Sequence, residues 1–319
     1  MRMLIGFLLA LLLIQCGKKG TKPKDNTTDP RKLALLQVKF NTYRELSKTQ
    51  QDGHGFILSE DCDSLLFTGL YSIVPGIEVD ITAARSPSLA WYRRPTVDGS
   101  DPCYPEHSKS SISRDMFVGL LWNIWETKNI DLANEIWQYG SNSQWVMGEG
   151  DPSRTIFTPS MQATLADIIY KLGGTDHAVT RAIPQSYVTI NTGFQAHLDI
   201  LSVLLRSRVL GTINYPVIFG SPKPLEVIKA QYNRVPSNSL FSYAYHKYVD
   251  GDYGEAIDTM LNNDLFPANT LPTRGNHKEP WLWQRDPGRD WSPHQDTSRH
   301  DEVHTGADMI FVSQLILSE

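Results

Sequence analysis

Residues 111–126 read SISRDMFVGLLWNIWE, the pattern of a helix buried in a helical body. From Met116 to Trp125 apolar side chains fall on nearly every face of a 3.6-residue helix, as expected of a helix surrounded by protein. Ser113, Arg114 and Asp115 stand just ahead of it, in the pattern of a helix start: a capping hydroxyl, then an acid near the positive end of the helix dipole. The same sequence grammar occurs twice more. Glu60-Asp61-Cys62-Asp63 precedes SLLFTGL, and His300-Asp301-Glu302-Val303-His304 runs through Asp308 into MIFVSQLIL.

Other segments alternate with these. Helical spacing of apolar residues covers about 31–48, 60–74, 113–127, 129–140, 160–172, 191–210, 223–233, 238–249, 253–263 and 304–317, with hardly any period-two alternation. Ser59, Ser113, Asp131 and Ser160 read as N-caps, and Gly173-Gly174 and Gly211 as stops. The segments at 31–48, 129–140 and 223–233 carry a charged face. An all-α body with inner helices wrapped by outer ones accounts for both kinds. A four-helix bundle would be uniformly amphipathic, and no fixed-period repeat suggests a solenoid. The expectation is one helical domain over 31–319. If the apolar helices line one barrel they run parallel, and their polar starts share one mouth.

The N-terminus speaks about location. Met1-Arg2 is followed by an apolar run from Leu4 to Ile14, too short for the ~20 residues that span a bilayer and suited to a secretory signal. Leu13-Ile14-Gln15-Cys16 resembles a bacterial lipobox, with Gln15 in place of the usual small residue. That resemblance implies removal of residues 1–15, lipid on Cys16, and residence in the bacterial cell envelope, facing periplasm or exterior. Residues 16–30, which include KKGTKPKDNTTDP, have the composition of a tether. With Cys16 lipidated, Cys62 and Cys103 form an even pair in an oxidising compartment, so a disulfide is expected.

The chain of 319 residues carries a net charge of −5 and 40% hydrophobic residues, enough apolar material for a sizeable core. No basic run supports nucleic-acid binding. The loops 75–112, 141–158 and 264–303 are long and rich in Trp, Tyr, Arg and Pro, which marks them as functional rather than disordered.

The SISRDMFVGLLWNIWE start, the apolar and amphipathic hairpins and the acidic-aromatic loops together resemble the six-hairpin (α/α) toroid shared by many glycoside hydrolases and polysaccharide lyases. The resemblance spans about residues 55–319. It implies a glycan cleft at the helix mouths, lined by Asp or Glu, Arg, His and stacking Trp or Tyr. The residues themselves supply such groups. A glycosidase needs two carboxyls flanking the scissile bond, and Asp63 and Asp115 are the candidates, with Arg114 beside them and Asp61 and Glu149 in reserve. A lyase needs a base and an Arg that neutralises a substrate carboxylate, for which Arg154, Arg285, His300 and His304 are available. Trp145, Trp281, Trp283 and Trp291 are candidate sugar platforms, or anchors for the loops. His300 and His304 share a helical i, i+4 spacing, but Asp301 stands where a zincin has Glu, so no metal or other cofactor is assigned. No Gly-x-Ser-x-Gly elbow or phosphate loop occurs. The expected protein is a monomeric, membrane-anchored carbohydrate-active enzyme; a non-catalytic surface lipoprotein binding glycan or protein is the alternative.

Overall fold

The computed structural model describes residues 28–58, 62–95, 98–187, 194–273 and 303–319, and among these the protein is helical, with only isolated β-bridges. Cys16, Asp61, Arg285, His300, Trp281, Trp283 and Trp291 lie outside the described residues. The helices are α1 (Pro30–Ser47), α2 (Ser64–Tyr71), α3 (Pro105–Ser108), α4 (Arg114–Thr127), α5 (Ile130–Asn142), α6 (Pro152–Thr155), α7 (Pro159–Lys171), α8 (Ala178–Arg181), α9 (Phe194–Leu210), α10 (Pro224–Arg234), α11 (Ser239–Val249), α12 (Gly254–Leu261) and α13 (Ala307–Leu317).

Local chemistry sets their ends. Pro at the first turn of α1, α7 and α10 suits a position whose N–H would be unpaired in any case. Thr158, rather than Ser160, caps α7, because Pro159 fixes the first helical φ and leaves the Thr158 hydroxyl to accept from Met161 N. Asn129, rather than Asp131, caps α5 by accepting from Leu132 N at 3.0 Å. Ser113 occupies the cap position of α4, yet its hydroxyl makes no capping bond and donates to Asp115 Oδ1 instead. Gly173 and Gly211 end α7 and α9 with φ of +87° and +71°, a region costly for any residue with a Cβ.

The two helix classes separate as burial. Every residue of α2 is buried, as is α4 from Asp115 to Ile124 and most of α13. These helices, with α7, α9 and α11, touch in sequence: α2 with α4, α4 with α7, α7 with α9, α9 with α11, α11 with α13, and α13 with α2. The amphipathic helices pack outside this chain of contacts, α1 on α13 and α12, α5 on α4 and α7, α10 on α9 and α11, and α12 on α11 and α1.

Side-chain pairs give the directions. Gly119 of α4 lies on Leu65 and Leu66, and further along Asn123 Nδ2 donates to Ser72 Oγ at 2.6 Å, so α2 and α4 run parallel. Phe117 meets Phe157, just ahead of α7, edge to face at 5.1 Å, which puts the starts of α4 and α7 at one end. Glu126 and Arg208 pair at 2.8 Å near the ends of α4 and α9. His197 and Asn238 join the starts of α9 and α11. At the far end Tyr243 and Lys247 of α11 both donate to Glu319, just past α13. These helices therefore start at a common end.

Candidate functional site

The end where those helices begin gathers most of the described polar residues singled out from sequence. Asp63 occupies the N-cap position of α2, half-buried, with Arg93 Nη1 at 3.5 Å from its Oδ1. Arg93 is itself buried. Its Nε and Nη2 reach Ser110 O and Oγ at 3.5 Å, and its carbonyl accepts from Leu65 N at 2.8 Å. One guanidinium thus ties the start of α2 to the segment leading into α4, a contact that offsets the cost of burying its charge.

Asp115, 6% exposed in the first turn of α4, accepts from Ser113 Oγ. The register set by Gly119 against Leu65 and Leu66 places Asp115 at the axial level of the residues just ahead of α2, so both carboxylates belong to one rim. Arg114 points outward and is exposed, and among the described residues no ion pair joins it to Asp115. The cationic partner at this rim is Arg93.

A third carboxylate, Glu149, stands nearby. Glu149 N donates to Ser111 Oγ at 2.8 Å, and Glu149 Oε2 accepts from Tyr92 Oη at 2.6 Å. Burial, with the Glu149 carboxylate, pushes the Tyr92 phenol well above its usual range. Arg154 is exposed and donates Nη1 to Ser108 O at 2.9 Å. Trp145 is half-buried, with its ring over Gly140, edge to face with Trp137 and stacked on Phe157 at 5.9 Å. His304 precedes α13, its N–H donating to Pro272 O at 2.8 Å.

The expected disulfide is present. Cys62 and Cys103, 41 residues apart, are bonded with Cα atoms 5.6 Å apart. The bridge joins the residue before Asp63 to the loop behind Arg93, and that loop is tightened again where Arg94 forks onto Asp101 at 2.7–3.0 Å and Asp101 Oδ1 accepts from Cys103 N. Asp63 and Arg93 therefore sit on segments that are cross-linked and ion-paired to each other.

Two further groups, the His197–Asn238 pair and Asp199, escaped the sequence reading, whereas Asp308 already belonged to the polar cluster leading into MIFVSQLIL. Asn238 Oδ1 accepts from Leu240 N and Phe241 N, which turns its amide nitrogen toward buried His197 Nε2 at 2.8 Å. Nε2 is then an acceptor and the ring proton lies on Nδ1. Asp199, one turn beyond Gln195, accepts from its amide at 3.0 Å. Asp308, in the first turn of α13, is 2% exposed; its Oδ1 accepts from Met309 N, and its Oδ2 meets no hydrogen-bond partner among the described residues. Burial pushes this carboxyl well above the usual carboxylate range. Chemically the rim holds carboxylates in contrasting settings: Asp63 beside a cation, Asp115 hydrogen-bonded to a hydroxyl, and Asp308 buried with no cation beside it among the described residues. Among the described residues no three His, Cys, Asp or Glu side chains group as metal ligands, and no helix is long and apolar enough to cross a membrane.

Comparisons of the chain with family models, with curated proteins and with solved structures each return no match.

Proposed function

We propose that this protein is an exported, lipid-anchored carbohydrate-active enzyme of (α/α)-toroid architecture, in which α2, α4, α7, α9, α11 and α13 form the inner ring and a glycan binds at their common mouth. The observation that carries the reading is the parallel packing of α2 and α4, which brings the Asp63 and Asp115 positions to one rim. Circular contact among six buried helices, with an amphipathic helix between most of them in sequence, supports the toroid.

In this reading Asp63 and Asp115 flank the scissile bond. Hydrolysis asks one carboxyl to protonate the leaving oxygen and the other to act as base or nucleophile. Arg93 gives Asp63 the setting of the ionised partner. Trp145 and Arg154, from the segments beside α7, would contact sugar, and His304 would enter from the start of α13. A lyase would use His304 as base, with an Arg to neutralise a substrate carboxylate. The lipid on Cys16 would hold this body in the envelope.

The test is turnover of a polysaccharide panel by the mature protein and its Asp115→Asn variant. The expected result is cleavage of at least one polymer, lowered at least 100-fold by the substitution, with an unchanged melting temperature. Binding without cleavage, by both proteins, would replace the enzyme by a glycan-binding surface lipoprotein. Cleavage unaffected by Asp115→Asn would remove Asp115 from the site.

A further inference from the structure

The chain enters the fold at the end opposite the candidate site. Thr28 Oγ1 accepts from Tyr253 N at 2.9 Å, and Lys32 reaches Asp258 at 2.7 Å. Tyr253 follows the end of α11 by four residues and stacks on Tyr243, whose hydroxyl donates to Glu319 just past the end of α13. The start of α1 is therefore at the end where α11 and α13 finish. The far end of α1 confirms its direction: a Cβ on Gly306, the residue capping α13, would lie 3.0 Å from the Tyr43 ring. With 18 residues, α1 is about 27 Å long.

We infer that the protein stands on the bilayer with the ends of α7, α9, α11 and α13 facing the lipid and the rim of Asp63, Asp115 and Asp308 facing away from it. This rests on the proposed lipidation of Cys16. From Cys16 to Thr28 the chain reaches at most ~40 Å. Turning the rim toward the membrane would oblige it to run back about 27 Å along the body, consuming most of that reach, whereas the outward orientation needs none of it. The substrate class narrows accordingly. A rim held a helix length above the entry point suits a glycan in the aqueous space beyond the membrane, not a saccharide carried on a membrane lipid.

The inference is tested on the lipidated full-length protein in liposomes. With Cys62 and Cys103 bonded and Cys16 acylated, Arg114→Cys and Lys171→Cys each provide a single free thiol, the first at the start of α4 and the second at the end of α7, both exposed. Energy transfer from a thiol-bound donor to an acceptor lipid is expected to be clearly stronger from position 171 than from 114, the two differing by roughly 20–25 Å in height. Equal transfer, as from a freely tumbling body, or stronger transfer from 114 overturns the inference. Mass analysis of the N-terminal peptide separates the two layers: an unacylated Cys16 defeats the lipoprotein reading and the orientation with it, while an acylated Cys16 with equal transfer defeats the orientation alone.

Discussion

Gly119→Ala is the sharpest probe of the packing that brings the rim together. In an ordinary buried helix this change gains about 1 kcal/mol of helix propensity. Here a Cβ at 119 would lie 2.5 Å from Leu66 Cα and 2.6 and 2.7 Å from the carbonyl oxygens of Leu66 and Leu65. These are backbone atoms of a helix buried on every side, so no rotamer change relieves the clash, and α2 would have to retreat by about 1 Å to reach ordinary contact. Overpacking of this kind costs about 3 kcal/mol, which leaves a net loss of about 2 kcal/mol after the propensity gain. At ~2–4 °C per kcal/mol for a chain of this size, thermal unfolding followed by circular dichroism should show a melting temperature lower by roughly 5 °C. Gly69→Ala should act in the same direction, because its Cβ would meet the Gly119 carbonyl. The double variant should cost less than the sum, since one separation of the helices serves both. Gly254→Ala is the control: its Cβ would be 3.2 Å from the movable Asp252 side chain, and little change is expected. A Gly119→Ala protein that melts at or above the wild type would refute the close parallel contact of α2 and α4, and with it the shared rim.

The helices themselves were legible because their burial is a property of local sequence. MFVGLLWNIW and MIFVSQLIL have no polar face to offer solvent, and both are buried; 31–48 and 223–233 alternate and lie outside. The disulfide was legible from the parity of the cysteines. The close approach at Gly69 and Gly119 had a signal that went unread, namely glycine in the middle of two all-apolar helices. What sequence hid was pairing at a distance. Arg93 belongs to Asp63 only because the Cys62–Cys103 bridge and the Arg94–Asp101 fork fold the intervening loop back, whereas Arg114, adjacent to Asp115 in sequence, is turned outward by the helical rotation of 100° per residue. His197 and Asn238 were missed for the same reason, being 41 residues apart and each unremarkable alone. The short helices α3 and α6 fall within the expected loops 75–112 and 141–158, and α8 between the helical segments ending at 172 and starting at 191, where a single Pro-led or polar turn leaves no periodicity to detect.

Two further perturbations test the rim. Replacing Cys62 and Cys103 together by Ser frees a loop of 41 residues, worth about 4 kcal/mol in the chain-entropy account. The melting temperature should fall by roughly 8–10 °C, and a loss under 2 °C would mean that the bridge constrains little. Asp308→Asn should act in the opposite sense. Burial raises the folded-state pKa of Asp308, so the native protein holds a proton that the unfolded chain, titrating near the ordinary ~3.9, has released at neutral pH. Stability therefore falls as pH rises from about 4 toward the raised pKa, and a neutral amide of the same shape removes that dependence. The variant should melt above the wild type at pH 7, and the difference should shrink toward pH 4, where both states of the wild-type protein carry the proton. A difference independent of pH would refute the burial of an unpaired acid in the first turn of α13. In the proposed enzyme, an Asp308→Asn protein that gained stability at neutral pH but lost turnover would assign the buried carboxyl a part in the reaction, and one that gained stability with turnover intact would leave Asp308 outside it.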